Sequence, residues 1–304
     1  MKKKYDLLLG AHMSIAGGLQ LAVEKGAELG CTALQIFTKN ASQWRERDLS
    51  VGEISRFKEA VERHPIGPVV AHGGYLINPA SPDEGLWERS VRALVRELER
   101  CSLLGLPMLV IHPGSHRGSG EERGLERVAS ALKRVLDESD SERVRIVLEN
   151  TAGQGDALGW RFDHLKYLLD AVGSGRRLGV CFDTAHAFAA GYDLRTLRAY
   201  EGTMRELDGS VGLGRVMAVH LNDAKKPLGS RVDRHEHIGR GCIGSRGFGL
   251  IMRDETLAGV PKILETPKYR GEEFMDPVNL KILRRLARRK VSGSGPSAGA
   301  DLPG

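Results

Sequence analysis

Aromatic residues make up only 5% of this 304-residue chain, and cysteine occurs four times. No apolar stretch approaches the roughly 20 residues that cross a bilayer, so no membrane partner is expected. With 41% hydrophobic residues and few rings, the core must be mostly aliphatic, as layered barrel interiors are. Cys31, Cys101, Cys181 and Cys242 share no CxxC spacing, which argues against a zinc knuckle or a redox pair. The opening MKKKYDLLLG has a basic lead but too short an apolar run for a secretory signal, and reads as a short tail entering the first strand. Four reduced thiols in a cytoplasmic protein is the expected state. No Gly-x-Ser-x-Gly nucleophile motif occurs. The net charge of +6 favours an anionic partner, but charge speaks to association rather than fold.

What the chain does have is ionisable residues at the ends of apolar runs. The runs are VVAH (69–72), MLVIH (108–112), IVLE (146–149), LGVCFD (178–183), VMAVH (216–220) and KILE (262–265). Runs of this length, bounded by turn signals, read as buried strands of a parallel sheet. They end in His72, His112, Glu149, Asp183, His220 and Glu265. Further strands are expected near 5–11 and 33–37. Helical patterns fall between the strands, at 18–29, 51–63, 84–104, 121–137, 162–171, 195–207, 245–253 and 273–289. Eight strands, each followed by a helix, is the count of a (β/α)8 TIM barrel, with its active site at the carboxyl face of the strands. A doubly wound open sheet would gather its ligands at one switch point instead of spreading them over six strands. A single barrel domain is expected over residues 1–290. The stretch 291–304, rich in Gly, Ser and Pro, is expected to be a disordered tail.

A single strand-end histidine is more often a hydrogen-bonded structural residue than a ligand, and a strand-end Asp or Glu is often a helix cap. Six such ends on one face are not explained that way, because burying these groups together without cations is costly. His186 follows Asp183 in FDTAH, and Asp233 and His235 lie two apart in RVDRHEH, on one face if that segment is extended. His237 is the alternative partner of His235. The set then holds five histidines and four carboxylates, enough for more than one cation, and imidazole with carboxylate suits zinc, manganese or iron. Such a cluster supports metal-assisted hydrolysis, including phosphoryl displacement. His12 is a candidate supporting or substrate-contacting residue, whereas His64 and His164 fall in helical, exposed settings. Gly239, Gly241 and Gly244 match G-x-G-x-x-G but follow a polar loop, so a dinucleotide site is excluded, and a turn or a close approach to phosphate is expected.

Long motifs follow one another from GAHMSIAGGL (10–19) through FTKN (37–40), HGGYLIN (72–78), HPGSH (112–116), LENTAGQG (148–155), DTAHAFAAGYD (183–193), HLNDAK (220–225) and GSRVDRHEHIGRG (229–241) to LET (264–266). In these motifs the chain resembles the endonuclease IV family of zinc-dependent apurinic/apyrimidinic endonucleases. The resemblance implies three zinc ions per chain: one on His72, His112 and Glu149; a second on Glu149, Asp183, His220 and Glu265; a third on His186, Asp233 and His235. Glu149, bridging two of them, is the implied catalytic residue. The implied activity is cleavage of duplex DNA 5′ to an abasic site, leaving a 3′-hydroxyl and a 5′-deoxyribose phosphate, together with removal of 3′ blocking groups. Gln43, Tyr75 and Leu76 match the loops that enter the minor groove at the lesion; packing on the barrel rim is the plainer reading of Tyr75. Some members carry Arg between the Asn and Gln of the first loop. This chain has Ala41 and Ser42 there, which fill a lesion gap less well. A monomer is expected, since bending a duplex across one face needs that face free. Two other readings are a sugar isomerase or epimerase on a related metal-binding barrel, and a DNA-binding protein with structural metals. Against the first stand the Asp233/His235 pair and the basic charge; against the second, cysteines expected to avoid the site.

Overall fold

The computed structural model describes residues 7–173 and 175–288, so the expected tail at 291–304 lies outside the described residues. The barrel strands are β1 (Leu9–Met13), β2 (Leu34–Phe37), β3 (Val69–His72), β4 (Met108–Ile111), β5 (Arg145–Glu149), β6 (Leu178–Asp183), β7 (Val216–His220) and β10 (Lys262–Leu264). They close in the order β1-β10-β7-β6-β5-β4-β3-β2, every neighbour parallel. A short antiparallel pair, β8 (Asp223–Ala224) and β9 (His235–Glu236), lies within the long loop after β7. A second hairpin, β11 (Tyr269–Arg270) and β12 (Glu273–Phe274), follows β10. Its second strand occupies sequence that reads as the start of the last helix.

The helices are α1 (Leu19–Glu28), α2 (Val51–Arg63), α3 (Glu84–Leu104), α4 (Glu121–Glu138), α5 (Phe162–Val172), α6 (Thr184–Ala190), α7 (Leu197–Ser210), α8 (Gly244–Met252) and α9 (Asp276–Arg288). Their starts are chemically marked. Ser50 and Glu53 form a reciprocal capping box on α2, and the Asp83 carboxylate accepts from the Leu86 amide at 2.7 Å on α3. Helix α6 has no counterpart among the expected elements. At seven residues it is too short to show a helical period, and its cap is Asp183 itself, whose Oδ1 accepts from the His186 amide at 2.7 Å.

Alternation along the strands decides what faces inward. Val70, Val110, Val147, Cys181 and Ala218 form, with Met108, a separate apolar cluster. Each of those five sits two residues before His72, His112, Glu149, Asp183 or His220. The barrel interior is thus aliphatic below and ionisable at the carboxyl face. Parallel register brings the upper layer level: Phe37 pairs with His72, and Asp183 with His220. The outward residues of the strands pack against the helices in one continuous, largely aliphatic core.

Gly10 shows how tightly the barrel closes. A Cβ there would lie 1.6 Å from the Ala33 carbonyl oxygen, a backbone atom of the loop entering β2. Gly10→Ala must push β1 and β2 apart and is expected to cost about 3 kcal/mol or more. Thermal unfolding checks this; an unchanged melting temperature would contradict so close an approach.

Candidate metal centre

The strand-end residues meet around Glu149, whose side chain has no exposed surface. His72 Nε2 lies 3.0 Å and His112 Nε2 3.1 Å from Glu149 Oε2, while His220 Nδ1 lies 2.8 Å from Oε1. His220 Nδ1 is also 3.1 Å from Glu265 Oε2. Among the described residues, Glu149 pairs with the imidazoles of His72, His112, His186 and His220. Burial pushes its carboxyl up, but the charges of His220 and His112 more than reverse this and hold it well below the usual carboxylate range. His186 is placed oppositely: burial opposes its charge, yet Asp183 and Asp233 carry it well above an ordinary histidine. Burial also opposes the charge of Asp233, but His186 holds that carboxyl down at about 2.

The ring tautomers follow from what each other nitrogen touches. His72 Nδ1 is 2.8 Å from the Gly73 carbonyl, and His186 Nδ1 is 2.9 Å from the Asn150 carbonyl. A carbonyl only accepts, so these nitrogens carry the proton and leave Nε2 with a free lone pair in the neutral ring. For His220 the same role falls to Gln35. Its Nε2 donates to Glu265 Oε1 at 2.6 Å, which orients the amide so that Oε1 accepts from His220 Nε2 at 2.8 Å. His220 Nδ1 is then free toward Glu149 and Glu265. Oriented imidazoles with the second nitrogen held by an oxygen are the usual arrangement of metal-binding histidines.

The donor atoms fall into overlapping groups. His72, His112 and Glu149 form one; Glu149, Asp183, His220 and Glu265 form another; Asp183, His186 and His235 form a third. Asp233 joins the last: its Oδ2 is 3.2 Å from His186 Nε2, and its Oδ1 3.3 Å from His235 Nε2. Two donors sharing a cation at about 2.0–2.1 Å stand roughly 3–3.4 Å apart, which is the spacing of these pairs. Nitrogen and oxygen donors, closely spaced and short of fixed positive charge, fit divalent cations of the zinc class.

Several expectations change. His237 is buried with its Nδ1 toward Asn279 of α9, outside these groups, while Asp233 faces His186 and His235. His164 is buried, not exposed: its Nδ1 accepts from the Gly159 amide, and its ring meets Trp160 edge-on. Its place on the inner face of α5 explains this. The cysteines do not all avoid the site. Cys181 lies on the inward side of β6 within reach of Glu149 and His220, because period two puts it directly below Asp183. Burial pushes its thiol up to about 12. The glycines at 239, 241 and 244 turn the backbone around the buried Asp223 carboxylate, to which their amides all donate, as does that of Ile243. A Cβ at Gly241 would come within 2.5 Å of that carboxylate.

Gln35, Asn150, Asn222 and Asp223 were not singled out by the strand-end pattern. Asn150 and Asp183 exchange two hydrogen bonds, and Asn222 donates to Asp183 Oδ2 at 2.6 Å while accepting from the Glu265 amide. The available signal was a polar residue inside or just beyond an apolar run, as in ALQIF, LEN and HLND. His12 accepts from Gln35 Nε2 at 3.0 Å and lines the site.

Above the cluster opens a cavity of about 730 Å³, lined by His12, Tyr75, His112, His186, Asp233 and Glu265 among others. Tyr75 is 68% exposed, with its ring 5.3 Å from that of Phe37 and inclined to it at 70°. Gln43 and Leu76 are also exposed.

Comparison with known proteins fits this geometry. The family described as a xylose isomerase-like TIM barrel matches residues 23–287. A protein of Chloroflexus aggregans named "Probable endonuclease 4" is 51% identical over 280 residues, spanning 92% of this chain and 97% of that one. The chain belongs to the endonuclease IV family. The solved endonuclease IV of Thermus thermophilus is 40% identical and aligns with a TM-score of 0.80, over 91% of this chain and 98% of that one. A D-tagatose 3-epimerase-like protein aligns with a TM-score of 0.69 at 23% identity, over 91% of this chain and 96% of that one, a likeness of fold alone. In this member of the family His72, His112, Glu149, Asp183, His220 and Glu265 stand at the carboxyl ends of barrel strands, while His186, Asp233 and His235 come from the segments that follow them. No described helix is long and apolar enough to cross a membrane.

Thiol reactivity tests the placement of the cysteines. Cys242 is exposed, whereas Cys31, Cys101 and Cys181 are buried, with burial pushing their thiols up, to about 11 for Cys31. With iodoacetamide at about pH 8, the native chain is expected to lose one thiol quickly and the others only on unfolding. Two or more fast thiols would contradict this packing.

Proposed function

We propose that this chain is a DNA-repair endonuclease that hydrolyses the phosphodiester 5′ to an abasic site, leaving a 3′-hydroxyl and a 5′-deoxyribose phosphate, and that it also clears blocked 3′ ends. The observation that carries the reading is the overlap of three donor groups around Glu149 and Asp183 at the floor of an open cavity. Family membership supports it, since the relatives are named as endonucleases. The working unit is the barrel domain of residues 1–290, acting as a monomer on duplex DNA in the cytoplasm.

Three zinc ions fit the donor set: His72 and His112 with Glu149; Glu149 with Asp183, His220 and Glu265; His186 with Asp233 and His235. Bound there, zinc supplies an activated water and stabilises charge on the attacking and leaving oxygens of an in-line displacement. The chain's part is to hold the donors. The Gly73 and Asn150 carbonyls and the Gln35 amide fix the imidazole tautomers, and Asn222 orients Asp183. Glu149 is held ionised and belongs to both of the first two groups, so it would be shared between their cations. Asp233 is held ionised likewise, and its backbone amide is fixed by Gln154 at 2.9 Å. Tyr75, Leu76 and Gln43 stand on the rim where a duplex would lie. An exposed ring and an apolar side chain there can enter the gap at a lesion, exchanging base stacking for a bent duplex. The short Ala41–Ser42 stretch leaves that wedge to Gln43 and Tyr75.

A duplex with one abasic analogue tests the reading. The zinc-loaded protein is expected to nick it 5′ to the lesion, and Glu149→Gln to lower the rate by roughly 10²-fold or more, since one bridging charge is lost from the reacting centre. Nicking at the parental rate in that variant would remove Glu149 from the mechanism. Absence of nicking by the zinc-loaded parent would remove the function.

A further inference from the structure

Two buried ionisable residues on α3 are not used by the centre described above. Arg100 and Glu97 are both almost fully buried, and both serve the loop of residues 38–50. Arg100 Nε donates to Thr38 Oγ1 at 3.1 Å, its Nη2 donates to the Thr38 carbonyl, and its Nη1 donates to the Arg47 carbonyl at 2.9 Å. One guanidinium thus holds both feet of the loop. Thr38 Oγ1, having accepted from Arg100, donates to Glu97 Oε2 at 2.5 Å. Arg96, on the outer side of α3, holds Glu46 at 3.2 Å and also Asp48.

The inner edge of the loop carries the other rim element. The Tyr75 amide donates to the Ala41 carbonyl at 3.0 Å, and a Cβ on Gly74 would meet that same oxygen at 3.1 Å. Lys39 Nζ donates to the Gln43 carbonyl at 2.8 Å. Thr38 itself follows Phe37, whose ring touches Tyr75 and His12. A shift of the loop would therefore move Gln43 and Tyr75 together, and it would do so without touching Glu149. For stability alone, a buried guanidinium is a poor choice, since well-packed apolar residues often serve as well or better. Its planar fork suits the fixing of several carbonyls in one orientation.

We propose that Arg100, with Glu97 acting through Thr38, is a positioning residue that holds the 38–48 loop and the Tyr75 loop in the shape that engages duplex DNA. The duplex part rests on the proposed function; the clamp itself does not.

The test uses the zinc-loaded full chain with two variants. Arg100→Lys keeps the charge but cannot reach both feet of the loop, and Thr38→Val keeps the shape but removes the shared hydroxyl. Amide hydrogen exchange on the free protein reads the loop. Kinetics on an abasic duplex and on bis(4-nitrophenyl) phosphate read its consequence. In each variant, exchange over 38–48 is expected to quicken and KM for the duplex to rise, both by roughly tenfold or more for loss of a charge-assisted hydrogen bond. The kcat, the zinc content and turnover of the small diester are expected to stay at parental levels. Unchanged exchange in 38–48, or an equal loss on the small diester, would overturn the clamp. Should Arg100→Lys not fold, Thr38→Val decides by the same readouts. If the parent does not nick abasic duplex, the proposed function falls while the exchange result still decides the clamp.

Discussion

Glu149 is a carboxylate without exposed surface, ringed by His72, His112, His186 and His220, and the carboxyl face of the barrel is arranged around it. Desolvating a carboxylate is among the larger penalties a fold can carry, and imidazoles offset it only by holding protons. A divalent cation does so better, because it replaces those protons and satisfies several lone pairs at once. Several neighbouring polar groups serve this one constraint. Gln35 and the Gly73 and Asn150 carbonyls turn the rings, and Asn222 and Asn150 hold Asp183. Asp183 also caps α6, so its role at a helix start and its place in the cluster are served by the same side chain. The helix cap and the ligand are not rival explanations here.

The position of Asp233 and His235 has a different physical basis. They come from a loop, not a barrel strand, and their placement depends on ties outside the cluster. The β8/β9 ladder joins Ala224 to His235, Gln154 holds the Asp233 amide, and the Arg231 guanidinium lies 3.7 Å over the Trp160 ring. Asp223 gathers the amides at 239, 241, 243 and 244 and so fixes the loop's return. Buried strands deliver the donors around Glu149 by register, while the third group is completed by loop chemistry.

That difference explains what could be read beforehand. Buried parallel strands are apolar along their length, so His72, His112, Glu149, Asp183, His220 and Glu265 stood out as interruptions at a fixed place. Gln35 interrupts a strand in the same way but lies before its end, where a single polar residue carries no pattern. Cys181 was legible in principle: it sits two before Asp183, and period two puts both inside. His164 was misplaced because helical periodicity alone does not say which face is turned inward. The hairpin at 269–274 shares its sequence with an apparent helix start, and α6 is too short to show a period. The Arg100 ties join residues 53 and 62 positions apart, two of them through backbone carbonyls, which leave no trace in side-chain spacing.

If the ionisable layer around Glu149 is the proposed cation site with three centres, anomalous diffraction at the zinc edge from crystals of the zinc-loaded chain shows it directly. The expected map has three peaks: one among His72, His112 and Glu149, one among Glu149, Asp183, His220 and Glu265, and one among His186, Asp233 and His235. A map with peaks only elsewhere on the protein, or with none touching Glu149, would contradict it.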